Sequence, residues 1–187
     1  MILIYLGAQH TQQSAYEQVL QTMQLPVRFL NDAQTEATLN ELFEHREHEQ
    51  HAHPLPHPLM VMKDVSDAQF QRIMQQFHAN GLSMERKAMW TVHNQDWSFA
   101  RLAEEIEEEH RYFADREQLY AIFSASNHKD PQAYAPASWK AYAATLTRLY
   151  GQLVRQEPSP QELKAMLEEA KAAEAALLPR SILNTDK

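Results

Sequence analysis

Apolar positions along the first 125 residues alternate between short continuous runs and helical stripes. Ile2-Leu3-Ile4-Tyr5-Leu6 is the first run, closed by Gly7. Tyr16, Val19, Leu20 and Met23 then recur at the i, i+3, i+4, i+7 spacing of one helix face. Leu25-Pro26 ends that helix, and Val27 to Leu30 is a second strand-like run. A shorter helix is predicted from a cap at Thr35, with Leu39, Leu42 and Phe43 as its stripe. It dissolves into the histidine- and proline-rich stretch 47–58. Leu59-Met60-Val61-Met62 is the third run. Ser66 and Gln69 form a capping box for the next helix, which carries Phe70, Ile73, Met74 and Phe77. Gly81 is placed to end it as a left-handed residue. The fourth run is Ala88 to Val92. Ser98 caps a further helix, with Trp97 and Leu102 spaced as a hydrophobic staple and Phe99, Leu102, Ile106 and Phe113 facing inward. A separate helical piece is predicted over 115–123.

A polar link at 126–136 leads to two amphipathic helices. The first presents Trp139, Tyr142, Ala143, Leu146, Leu149, Tyr150 and Leu153 on one side. The second opens with Ser159, Pro160 at the first helical position and Glu162 completing a capping box, followed by Leu163, Met166, Leu167, Ala170 and Leu177. They form a helical hairpin over 136–178, and the residues from 179 to 187 are a tail without pattern. No repeat period is visible in the sequence.

The order β-α-β-α-β-α-β-α predicts an α/β fold, a small four-stranded sheet plus the C-terminal helical hairpin, with an α/β domain at 1–125. The runs are continuous rather than alternating, so both sheet faces are covered and a parallel sheet is preferred. The alternative is a ferredoxin-like α+β arrangement with an elaborated connection at 32–56.

Composition narrows the function classes. The chain has 187 residues and no cysteine, which removes disulfides, thiolate zinc sites and cysteine nucleophiles and fits a reducing compartment. Seventeen basic residues against 25 acidic ones leave a net charge of −8, and the densest charge is the acidic run 104–109. No nucleic-acid partner is expected, because that needs a basic face. No run reaches the length of a membrane span, and the apolar start lacks the basic flank of a signal peptide, so a cytoplasmic location and no membrane partner are expected. Three glycines provide no phosphate-cradling loop, and no nucleophile elbow or zinc-protease motif occurs. An enzyme is therefore not the preferred reading.

The stretch from Lys87 to Phe99, continued by Leu102, Glu105, Ile106, Glu109 and His110, has a distinctive cadence. It resembles a bacterial family of uncharacterised proteins, domain-of-unknown-function family 3783, at Lys87, Ala88, Thr91, Asn94, Trp97, Leu102, Glu105, Ile106, Glu109 and His110. The resemblance extends over about 59–110. It implies no activity; it implies a cytoplasmic bacterial protein in which Thr91, Asn94, Trp97 and His110 belong to a shared motif.

Three groups of residues are candidates for chemistry. Thr91, His93, Asn94, Asp96 and Trp97 lie where a strand passes into a helix, the usual ligand position of an open α/β sheet, and a helix start favours an anion. Structural turn chemistry accounts for the same residue types and is preferred. His110 falls on the stripe through Ile106 and Phe113, with Glu107 one turn back as Glu-x-x-His. A di-iron bundle needs two such motifs and the chain has one, so a half-buried, hydrogen-bonded histidine is expected. His45, His48, His51, His53 and His57 form a third group, with His45 and His48 predicted on one helix face. Imidazoles suit Zn or Ni, but in a loop rich in proline such capture is expected to be adventitious. The leading function is a non-enzymatic protein-interaction or assembly module, acting as a homodimer or with another protein partner. The alternative is a small-ligand, anion or metal-binding regulatory protein using the turn 91–97.

Overall fold

The computed structural model describes residues 1–47 and 52–180. Four strands form one sheet: β1 (Ile2–Tyr5), β2 (Val27–Leu30), β3 (Leu59–Met62) and β4 (Lys87–Met89). Helices α1 (Gln13–Thr22), α2 (Leu39–Glu44), α3 (Asp67–Ala79) and α4 (Phe99–Ser126) alternate with them as expected. The spatial order is β2-β1-β3-β4. The fold is α/β, but the sheet is mixed. β1 runs parallel to β2 and β3 parallel to β4, whereas the central pair is antiparallel, with Ile2 opposite Met62 and Tyr5 opposite Leu59. A strand buried on both faces reads as a continuous apolar run whichever way it points, so the parallel preference had no directional information behind it. The ferredoxin-like alternative fails too, since each outer pair is parallel and 32–56 holds a helix.

All four residues of β1 and of β3 are buried, and successive side chains supply opposite faces. Ile2, Ile4, Met60 and Met62 pack with Tyr16 and Leu20 of α1 and Ile73 and Phe77 of α3. Leu3, Tyr5, Leu59 and Val61 pack with Leu39 and Leu42 of α2 and Phe99 and Leu102 of α4. Three layers result, helices over sheet over helices.

The helix ends follow local chemistry. Ser66 and Gln69 make the expected capping box on α3. Gly81 has φ +69°, its N–H reaching His78 O (3.1 Å) while Leu82 N–H reaches Phe77 O (2.9 Å), the paired bonds of a left-handed C-terminal cap. α2 is capped by Thr38, in a box with Glu41, and not by Thr35. Thr35 is fully buried instead, its hydroxyl within 2.9 Å of Asp32 O and 2.8 Å of His53 O. Both threonines precede an apolar stripe, and only tertiary contact separates a cap from a buried clamp.

Contacts divide the chain into two compact units, Met1–Glu107 and Glu108–Lys187, with the division inside α4. The two helical pieces expected at 99–113 and 115–123 are one 28-residue helix. Its stripe changes phase along the way. Phe99, Leu102 and Ile106 belong to the core of the first unit, while Tyr112, Leu119 and Phe123 belong to that of the second. Phe113 continues the phase of the first stripe and is about half exposed, at 49%. In the second unit, Pro131–Ala133 forms one 3-10 turn before α5 (Pro136–Arg155) and α6 (Pro160–Ala175). Leu146, Leu149 and Leu153 of α5 pack with Leu163, Leu167 and Ala170 of α6, the expected helical hairpin. Tyr150, expected in that stripe, is half exposed.

Candidate functional site

The turn after β4 is built from its own side chains. Strand β4 stops at Met89, three residues before the predicted end. Asn94 is the reason the chain turns there. Its Oδ1 accepts from the Thr91 N–H (2.8 Å), and its Nδ2 donates to Met89 O (2.9 Å). β4 is an edge strand, and the neighbouring Trp90 N–H points inward to Met62 O (2.7 Å), so Asn94 covers a carbonyl on the open edge. Thr91 Oγ1 accepts from the N–H groups of His93 (3.3 Å) and Asn94 (3.4 Å). Trp90 Nε1 donates to Asn40 Oδ1 (3.2 Å), and the Lys63 ammonium sits 4.1 Å from the Trp90 ring centre. Ser98 caps α4 by accepting from the Arg101 N–H (3.1 Å).

Trp97 is half-buried against the α2–α4 core, with the Arg101 guanidinium 4.3 Å from its ring centre. His93 and Asp96 are exposed. Trp97→Ala is expected to lower stability by about 2 kcal/mol, below the 3–5 typical of a fully enclosed ring because one side already meets water. Urea denaturation measures it. A loss under about 0.5 kcal/mol would mean that the ring does not hold the turn to the core.

The remaining expected groups are not brought together. His110 is exposed, because the stripe of α4 changes phase after Ile106. Glu107 meets Arg86 Nε at 2.6 Å and lies 3.8 Å from His57 Nε2. His45 is the left-handed cap that ends α2 at Glu44, so no helix face runs on from it toward His48. His53 Nδ1 contacts Glu36 (2.8 Å). His48 and His51 lie outside the described residues. Among the described residues no three His, Asp or Glu side chains are grouped as metal ligands.

Several sites have no counterpart in the sequence reading. Tyr5 is buried, donates to Asp32 Oδ1 (2.6 Å) and accepts from the Leu55 N–H (3.0 Å), which ties the 52–58 segment to the sheet. Burial first, and the Asp32 carboxylate second, push the Tyr5 phenol above its ordinary pKa. Arg28 pairs with Glu47 and donates to Leu42 O (2.7 Å), and burial pulls its guanidinium below its ordinary value. A polar cleft of about 250 Å³ is lined by Gln9, Gln12, His57, Ser83, Glu85 and Arg86. In the second unit an open groove of about 390 Å³ runs along Phe123, Trp139, Tyr142, Leu146 and Tyr150. Only the aromatic content of α5 hinted at the last of these. The others depend on pairings between distant segments.

No helix among the described residues is long and apolar enough to cross a membrane. Residues 58–113, 56 of the 187, match the model of a family described as a domain of unknown function (DUF3783). The matched segment contains β3, α3, β4, the turn 91–97 and the first half of α4, and it agrees with the resemblance drawn from 59–110. No curated protein and no solved structure matches the chain.

Proposed function

We propose that the chain is a non-enzymatic cytoplasmic protein of bacterial type that acts by protein–protein contact, through the aromatic face of its helical unit. Tyr150 carries the reading. It is half exposed, yet its ring stands edge-on to Phe123 with centroids 5.4 Å apart. Tyr120, 41% exposed, meets the same Phe123 at 6.3 Å, and Val154, one turn beyond Tyr150, is 63% exposed. Single exposed apolar residues are ordinary, but a contiguous patch beside a groove, rich in tyrosine, fits a contact surface. The partner proposed is a second copy of the chain. Residues 108–187 carry ten basic and eleven acidic side chains, so that unit is close to neutral and the net charge of −8 resides almost wholly in the first unit. Self-association through the helical unit therefore meets little repulsion.

The ligand reading at 91–97 has less behind it, since Thr91 and Asn94 already spend their polar atoms on the local backbone. Light scattering on the parent and on a Tyr150→Lys, Val154→Lys double variant tests the proposal. The parent is expected to double in mass as concentration rises, and the variant to stay monomeric with an unchanged melting temperature. A parent that stays monomeric up to hundreds of micromolar, or a variant that dimerises like it, removes the proposal.

A further inference from the structure

We infer that residues 1–46 repeat the unit that begins at residue 58, so that the first unit of the chain is a two-fold pair of family units in one polypeptide. The β1/β3 seam is then the surface by which such a unit takes a second copy of itself. The backbone carries the case. Ile2 N–H donates to Pro26 O (2.9 Å) at the start of the β1/β2 ladder, and Met60 N–H to Arg86 O (3.1 Å) at the start of β3/β4. Helices α1 and α3 end alike. Gln24, with φ +57°, and Gly81 occupy the same left-handed position, and Leu25 N–H reaches Leu20 O (3.1 Å) as Leu82 N–H reaches Phe77 O. The turns after β2 and β4 also correspond. Asn31 N–H donates to Gln34 Oε1 (3.1 Å) where Thr91 N–H donates to Asn94 Oδ1, and Thr38 caps α2 where Ser98 caps α4.

The two halves bind each other reciprocally. Leu39 N–H donates to Trp97 O (3.0 Å) and Phe99 N–H to Ala37 O (3.0 Å); Asn40 N–H donates to Gln95 O (3.0 Å) and Ala100 N–H to Thr35 O (2.8 Å). Such exchange of equivalent contacts is the signature of an isologous interface. Two self-paired positions fix its axis. In the central strands β1 and β3 equivalent residues are 58 apart, and Leu3 pairs with Val61. In the turns they are 60 apart, and Thr38 bridges Ser98. Each residue faces its own equivalent, so one two-fold axis passes through both pairs, and the order β2-β1-β3-β4 reads the same from either edge. Independent hydrogen-bond sets mapped onto one another about one axis are not the product of chance likeness between two βαβα segments.

The matched segment contains one such unit. Its first strand, β3, is buried and paired on both edges here, by β4 and by β1. A lone unit would leave the seam edge of that apolar strand open, and an open edge is a template for pairing. The partner that fits is another copy, antiparallel about the position of Val61.

The seam can be exchanged across the axis in the full chain. Ile2→Met, Leu3→Val and Ile4→Met, combined with Met60→Ile, Val61→Leu and Met62→Ile, conserve the composition of every cross-strand pair. Either set of three alone turns the unlike pairs into like ones, Met–Met and Val–Val in one case and Ile–Ile and Leu–Leu in the other. With a two-fold axis, the six-fold exchange should regain at least half of the melting temperature lost by the worse triple variant, and should melt cooperatively. A six-fold variant as low as the sum of the two losses, or not folded, overturns the duplication. A full chain carrying a protease site in place of residues 48–51 tests the interface. After cleavage the two pieces should stay together and refold together, with a midpoint that rises with protein concentration, as for any dimer. Pieces that part at micromolar concentration while one keeps its structure overturn the seam as a dimer surface.

Discussion

Phe99→Ala is expected to cost the first unit about 3–5 kcal/mol, the range for deleting a fully buried aromatic ring. Phe99 is the first residue of α4 and has no exposed surface. Its ring lies 6.4 Å from that of Tyr5, and its N–H is committed to Ala37 O across the pair of turns. The cavity would open between α2, α4 and the sheet, where Leu3, Leu39 and Leu42 are held from three directions and cannot collapse into it. Phe99→Leu should recover most of the loss, because it refills the site with branched carbon. Urea titration with both variants checks this. Equal losses for alanine and leucine would show that the aromatic edge toward Tyr5, and not the volume, holds the layer. Trp97, two residues earlier and half in water, should cost clearly less than Phe99→Ala.

Those two neighbours mark where the sequence was informative and where it was not. The apolar runs at 2–6 and 59–62 are strands because four residues enclosed on both faces leave little else for them to be. The boxes at Ser66 and Ser159 are read from residue types that satisfy orphan N–H groups three positions on, which is local chemistry. Direction and partnership are not local. β3 lies antiparallel to β1, and no residue in Leu59–Met62 records that direction. Thr35 and Thr38 carry the same hydroxyl, and only the approach of His53 makes one a clamp. His110 and Phe113 fall outside both cores because a 28-residue helix serving two cores carries two stripes of different phase. The internal pairing leaves little trace in the sequence for a related reason. Equivalent positions keep backbone geometry but few side chains, with Leu25 and Leu82 or Leu42 and Leu102 among the few identities. Four residues, Ser83 to Arg86, also stand where the first half has Pro26 alone, and this breaks the period.

Tyr16→Ala is expected to cost about 4 kcal/mol, and Tyr16→Phe only about 1–2 kcal/mol, since the second keeps the ring and abandons one hydrogen bond. Tyr16 is fully buried, stands edge-on to Phe77 with centroids 5.0 Å apart, and donates its hydroxyl to Ser83 O (2.7 Å). Ser83 begins the stretch that has no counterpart in the first half, so this bond pins the least symmetric part of the unit. Burial pushes the Tyr16 phenol above its ordinary value of 10.0, as it does Tyr5. Between 10 and the raised value the unfolded chain has released a proton that the folded chain still holds. Stability is therefore full below pH 10 and falls as pH rises through that window. Tyr16→Phe removes one of the two buried titrating phenols of the first unit, so its stability should decline less steeply above pH 10 than the parent's. Urea midpoints for parent, Tyr16→Phe and Tyr16→Ala at pH 8 and pH 10.5 measure both effects. If phenylalanine and alanine cost the same at pH 8, the hydroxyl and not the ring anchors α1. If the parent and Tyr16→Phe lose stability in parallel above pH 10, Tyr16 ionises as freely in the folded chain as in the unfolded one.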